Sequence, residues 1–143
     1  MLEMPASGTV LAFDFGEKRI GVAVGELALG VAHPLTTLAA SRKEARFAAI
    51  AALVAEWQPA LFVVGLPHHL DGGEHAFAIR CRRFARQLMG RFHRPAVMVD
   101  ERLTSVAAEE DRRATGGVSA ATDALAASHI LQRFFDEHRA RAA

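Results

Sequence analysis

The chain has 143 residues, of which 51% are hydrophobic, a formal net charge of +1 and a single cysteine. That length and apolar content suit one domain around one substantial core, and the lone Cys81 excludes an intrachain disulfide and a cysteine-built zinc site. A charge so close to zero argues neither for nor against nucleic acid. No window approaches the ~18 apolar residues of a membrane span, and the opening MLEMPASG lacks the basic and apolar regions of a secretory signal. A soluble cytoplasmic protein is therefore expected, a single domain over 1–143 with residues 1–8 and 140–143 as flexible ends.

Val10 to Phe15, Arg19 to Val24 and about Gly30 to Thr37 are rich in Val, Leu, Phe and Thr and are parted by Gly-containing turns, which predicts a three-stranded antiparallel meander. After Ser41, read as an N-cap, Phe47, Ile50, Val54 and Trp57 recur at helical spacing up to Pro59. LFVVG, Leu61 to Gly65, reads as a parallel strand buried on both faces. The loop LPHHLDGG follows, and Phe77, Cys81, Phe84 and Leu88 mark a second amphipathic helix whose other face carries most of its arginines. AVMVD, Ala96 to Asp100, reads as another buried strand. ERLTSVAAEEDRR continues into a short helix, and a last helix runs from about Thr122 to Arg139. The order β-β-β-α-β-α-β-α-α predicts an α/β fold: a mixed five-stranded sheet, three strands antiparallel and two parallel, with helices on both faces.

In such sheets functional groups collect at the carboxyl ends of the strands, and three acids belong to that region. Asp14 lies inside the first strand, where a charge must be hydrogen-bonded, paired, protonated or metal-bound; a turn-capping role for Asp14-Phe15-Gly16 is the plain alternative. Glu101 follows Asp100 at a strand end, and alternation allows only one of the two to face the same way as Asp14. Both also read as solvated acids. Asp123 opens the last helix, where the helix dipole alone would favour a carboxylate, but Ala126 and Ala127 beside it make a flat face suited to close packing on a sheet. If that helix lies near Asp14, three carboxylates converge. Mg²⁺ or Mn²⁺ would relieve their repulsion, and a pair of such ions can activate water for phosphodiester hydrolysis.

The blocks AFDFGEKRIGVAVGE, VGLPHHLDGGEH, VDERLTS and DALAASHILQRFF, in this order and spacing, resemble the YqgF family of Holliday junction resolvase-like proteins, also described as pre-16S rRNA nucleases. The resemblance runs from about Val10 to Phe135. It implies a ribonuclease H-like fold and a metal-dependent nuclease site at Asp14, Glu101 and Asp123. It further implies nucleic-acid partners, either precursor ribosomal RNA handled in ribosome biogenesis or branched DNA. The chain departs from the family in GGVSAATD, which brings no Lys or Arg to Asp123.

Other residues carry weaker signals. Lys18 and Arg19 read as phosphate contacts or as a solvated hairpin tip, and Arg102 as a substrate contact or a structural ion pair. His68 is a candidate substrate contact. His68, His69 and His75 do not match zinc-ligand spacing, and His129 reads as a packed boundary residue. Arg80 to Arg94 holds six arginines and no acid, either a phosphate-tracking patch or a solvated face. Two other classes compete. Asp-x-Gly also opens the phosphate loop of actin-like ATPases and sugar kinases, whose sites lie between two such domains where this chain supplies one. A non-catalytic ribosome-assembly factor is the other. A twofold dimer is what a junction resolvase needs, and the sequence neither shows nor excludes a homodimer.

Overall fold

In the computed structural model, which describes residues 4–66, 72–100 and 120–142, strand β1 (Thr9–Phe15) is the centre on which everything else is assembled. It pairs antiparallel with β2 (Arg19–Glu26), which pairs antiparallel with β3 (Ala32–Ala39). On its other side β1 pairs parallel with β4 (Leu61–Leu66), which pairs parallel with β5 (Ala96–Asp100). The five-stranded order is β3-β2-β1-β4-β5. The predicted mixed sheet is present, three strands antiparallel and then two parallel. Pro34 falls in the outer strand β3, where a missing N–H costs no inner ladder bond, and the register shifts between Val22 and Ala23.

Alternation along β1 divides the core in two. Leu11 and Phe13, with Ile20, Val22, Phe62 and Val64, face the layer formed by α1 (Lys43–Trp57) and α2 (Gly72–Phe92). Val10 and Ala12, with Ala23, Leu61 and Val63, face α3 (Ala120–Ala142) through Ala127, Ile130, Leu131 and Phe135. Phe84 is the hub of the first layer, with its ring centroid 5.6 Å from Phe13, 4.7 Å from Phe15 and 6.0 Å from Phe47.

Several expected boundaries move. Ser41 is not the N-cap of α1: Arg42 holds that position, in extended conformation and with no side-chain cap bond, so the helix begins without the hydroxyl its sequence offers. The helix ends as predicted before Pro59, through Gln58 in the left-handed region at φ 46°, whose N–H reaches the Val54 carbonyl at 2.8 Å. Strand β4 is buried from Leu61 to Val64, as its apolar run predicts. Strand β5 is not: among the described residues it has a neighbouring strand on one side only, and Val99 is its one buried residue. The short helix expected after Glu101 lies outside the described residues. No helix among the described residues is long and apolar enough to cross a membrane.

Candidate active site

Asp14 is the penultimate residue of β1, half-buried at the strand's carboxyl end. By the alternation that sends Val10 and Ala12 toward α3, its side chain projects on the α3 face. Its antiparallel partner is Gly21. Directly paired residues share a face, so any side chain at position 21 would stand beside Asp14. The absence of one is what admits α3: a Cβ on Gly21 would lie 1.9 Å from the Asp123 carbonyl oxygen and 2.4 Å from its carbon. The first turn of α3 therefore occupies the space of the missing side chain, and Asp123 is delivered to the register position of Asp14.

The same approach continues along β2. Ala23 is buried against α3, and a Cβ on Gly25 would meet the Phe135 ring at 2.7 Å. Glycine, alanine, glycine on the α3-facing positions of β2 form a shallow seat. At its far end Gln132 accepts from the Ala32 amide at 3.0 Å and donates to the Gly30 carbonyl at 3.0 Å, and Arg139 also donates to Gly30, so α3 is held at both ends. The Ala-rich face around Ala126 and Ala127 is buried, as its flatness suggested.

Asp123 lies in the first turn of α3, where the dipole favours negative charge. Its side chain is 17% exposed, and Arg19 Nε stands 2.6 Å from Oδ2. Yet Oδ2, a fully buried atom, receives no aligned hydrogen bond. The two observations agree if the contact is one of charge rather than of a directed N–H, and the distance makes the attraction real. The carboxylate thus keeps an oxygen whose directional bonding capacity is unspent. Lys18 ends the exposed turn between β1 and β2 and Arg19 opens β2; Gly16 keeps that turn tight, since a Cβ there would sit 2.6 Å from the Arg19 carbonyl oxygen. The Lys18 carbonyl accepts from Ala40 at 2.9 Å, which ties the turn to the end of β3.

The remaining expected site residues, Glu101, Arg102 and His68, lie outside the described residues, as does His69. Asp100 is described: it pairs with Leu66, whose side chain packs in the α1/α2 layer, so Asp100 faces away from Asp14. His129 is half-buried on α3, with Nδ1 lacking a hydrogen-bond partner. Among the described residues no group of three His, Cys, Asp or Glu forms a metal cage; Asp14 and Asp123 are two acids on one face. Two contributors escaped the sequence reading. Gly21 seats the last helix, and Arg19 meets Asp123. The small residues at alternate positions 21, 23 and 25 were the available signal for the first; the second had none.

The sheet order, with one described helix on one face and two on the other, defines a ribonuclease H-like fold. A solved structure of the same architecture, T. thermophilus RuvC in complex with Holliday junction substrate, superposes with a TM-score of 0.60 at 17% identity, covering 92% of this chain and 96% of that one. The family described as RuvX, Holliday junction resolvase, matches residues 8–137, and the chain belongs to this family. Among curated relatives, a protein of Thiobacillus denitrificans is 55% identical over 140 residues, 95% of this chain and 97% of its own. One of Methylobacillus flagellatus is 54% identical over 133 residues, 90% of this chain and 91% of its own. Both are named "Putative pre-16S rRNA nuclease".

Proposed function

We propose that this chain is a metal-dependent endonuclease that hydrolyses phosphodiester bonds in structured RNA, maturing the 5′ end of precursor 16S rRNA, with Asp14, Glu101 and Asp123 as its catalytic acids. The observation that carries the reading is the Asp123 backbone lying in the side-chain space of Gly21, directly opposite Asp14. The names of the relatives and the family membership support the reaction class.

Asp14 rides on a central strand and Asp123 on a clamped helix, so both carboxylates are preorganised by elements that do not depend on substrate. Glu101 is assigned as the third acid because its neighbour Asp100, the other acid of the VDERLTS block, faces the α1/α2 layer and away from Asp14. The fit to a hard cation rests on the buried Asp123 Oδ2, an anionic oxygen with no directed donor. Mg²⁺ or Mn²⁺ held by these carboxylates would supply a water of lowered pKa and charge neutralisation at the phosphate. Arg19 answers the charge of Asp123 until a metal cation takes its place, and Lys18 at the exposed turn meets a neighbouring phosphate of the substrate. Arg102 and His68 are assigned as further substrate contacts.

The family description favours one second reading, cleavage of four-way DNA junctions. Incubating the purified chain with a 16S rRNA precursor and with a synthetic junction, with and without Mn²⁺ and beside Asp14→Asn, separates them. The expected result is Mn²⁺-dependent cutting of RNA that Asp14→Asn abolishes. Cutting that survives the substitution would sink the carboxylate site. Cutting confined to the junction would replace RNA by DNA, and no cutting of either would leave an assembly factor.

A further inference from the structure

On the opposite face of the sheet from Asp14, α1, α2 and the β1–β2 turn enclose a cleft of about 450 Å³. Its walls carry four cations, Lys43, Arg46, Arg80 and Arg83, against the single carboxylate of Glu17. A chain whose formal charge is +1 thus concentrates three net positive charges in one concavity. Phe15 forms part of the wall, so the cleft begins one residue along β1 from Asp14.

The six arginines from Arg80 to Arg94 do not act as one patch. Arg91 stacks on Phe47, 4.1 Å from the ring centroid, and Arg94 donates to the carbonyls of Pro59 at 2.6 Å and Phe92 at 2.9 Å. Those two are structural. Arg82 and Arg86 are exposed on another side of α2. Arg80 and Arg83, three residues apart, both turn into the cleft.

Within the cleft the cations differ in how far their charge is answered. Arg80 is paired with Glu17. Arg46 is fixed, donating twice to the Ala40 carbonyl, at 3.2 and 2.7 Å, and lying 5.2 Å from the Phe15 ring centroid. Burial without a carboxylate partner draws its pKa below the usual guanidinium value, though arginine remains cationic. Lys43 and Arg83 are exposed, and among the described residues no carboxylate pairs with either. Lys43 and Arg46 also stand in the first turn of α1, where the helix dipole disfavours positive charge. A folded chain with no anion to bind gains nothing from this placement; a row of phosphates would offset the repulsion and the unfavourable dipole together.

We propose that this cleft is a second phosphate-backbone subsite, holding the RNA segment that flanks the one presented to Asp14 on the other face of the sheet. The flanking strand crosses the carboxyl edge of β1, from Lys43 and Arg83 on one side to Lys18 and Asp14 on the other. The assignment rests on the nuclease reading for its substrate but not for its binding test.

The test is equilibrium binding of a fluorescein-labelled 16S precursor RNA, followed by anisotropy across a salt series, in the Asp14→Asn background. Lys43→Gln/Arg83→Gln is compared with Arg82→Gln/Arg86→Gln, which removes the same number of charges from exposed positions of α2 outside the cleft. All four positions are exposed, and thermal melts check that both variants fold. The cleft variant is expected to bind about tenfold more weakly at ~0.1 M salt and to flatten the slope of log K against log salt by roughly 1 to 2. The control pair should change affinity about twofold. In the active chain the cleft substitutions raise KM and leave kcat. Equal losses in both variants, or none in the cleft variant, would overturn the subsite. Losses seen with a four-way DNA junction and not with RNA would overturn its assignment to RNA. If the chain binds RNA through the cleft and cuts nothing, the nuclease reading fails and the subsite stands.

Discussion

Gly21→Ala is the most informative single substitution. It adds one methyl group to the face that α3 covers, at a point 1.9 Å from a backbone oxygen that no rotamer change can move. Real Cβ contacts do not fall below 3.0 Å, so the first turn of α3 must retreat by at least about 1.1 Å or β2 must bend by as much. Overpacking of this kind costs ~1–3 kcal/mol, against which alanine recovers up to ~1 kcal/mol of strand preference over glycine. A net loss of ~1–2 kcal/mol lowers Tm by about 3–8 °C in a chain of this size. The effect on chemistry is larger, since a displacement of ~1 Å in a catalytic group costs on the order of 100-fold in rate. The assay pairs a thermal melt with single-turnover cleavage of precursor RNA below the melting range. Gly25→Ala is the control: it presses the Phe135 ring at 2.7 Å, far along the helix from Asp123, and should lower Tm while sparing the rate of the folded enzyme. If Gly21→Ala cuts at the parental rate, or if both variants lose rate equally, the seat on β2 is not what brings Asp123 to Asp14.

Arg19→Gln should change stability by less than ~1 kcal/mol, because the ion pair is partly exposed, with 43% of the Arg19 side chain open to solvent. With the competing cation gone, the Mn²⁺ concentration at half-maximal cleavage should fall several-fold; a rise would mean that Arg19 holds Asp123 ready for the ion rather than competing with it. Phe84→Ala removes the hub of the α1/α2 layer and should cost ~3–5 kcal/mol, read as a drop in denaturation midpoint without change in Mn²⁺ dependence. Gln132→Ala leaves the Ala32 amide without its side-chain acceptor and the Gly30 carbonyl with Arg139 alone, so amide exchange at Ala32 should quicken while the exchange of β1 stays slow.

Much of this molecule follows from pattern alone. Alternation in VLAFDF sends Leu11 and Phe13 to one layer and Val10 and Ala12 to the other, and the continuous apolar run of LFVVG marks a strand covered on both faces. These are local consequences of a period of two and of strand length, so they survive without knowledge of neighbours. Where the reading slipped, the missing information was tertiary. AVMVD is as apolar as LFVVG, but its position at the sheet edge leaves most of it half-buried. Ser41 looks like a cap, but the helix starts after Arg42, where the chain leaves β3. The arginine-rich stretch could not be divided by eye into stacked, carbonyl-bound and cleft-lining members, because each fate depends on Phe47, Pro59 or α1, all distant in sequence.

The sequence by itself determined the five strands, the three described helices and their order, since those depend on composition over a few residues. It could not determine that Asp123 lies over Gly21, because nothing in either segment specifies the other until β1 and β2 are paired and α3 is laid across them. One glycine, unremarkable in RIGVAVGE, sets how closely the helix approaches. The space left by its absent side chain is the physical reason that two carboxylates more than a hundred residues apart share one face.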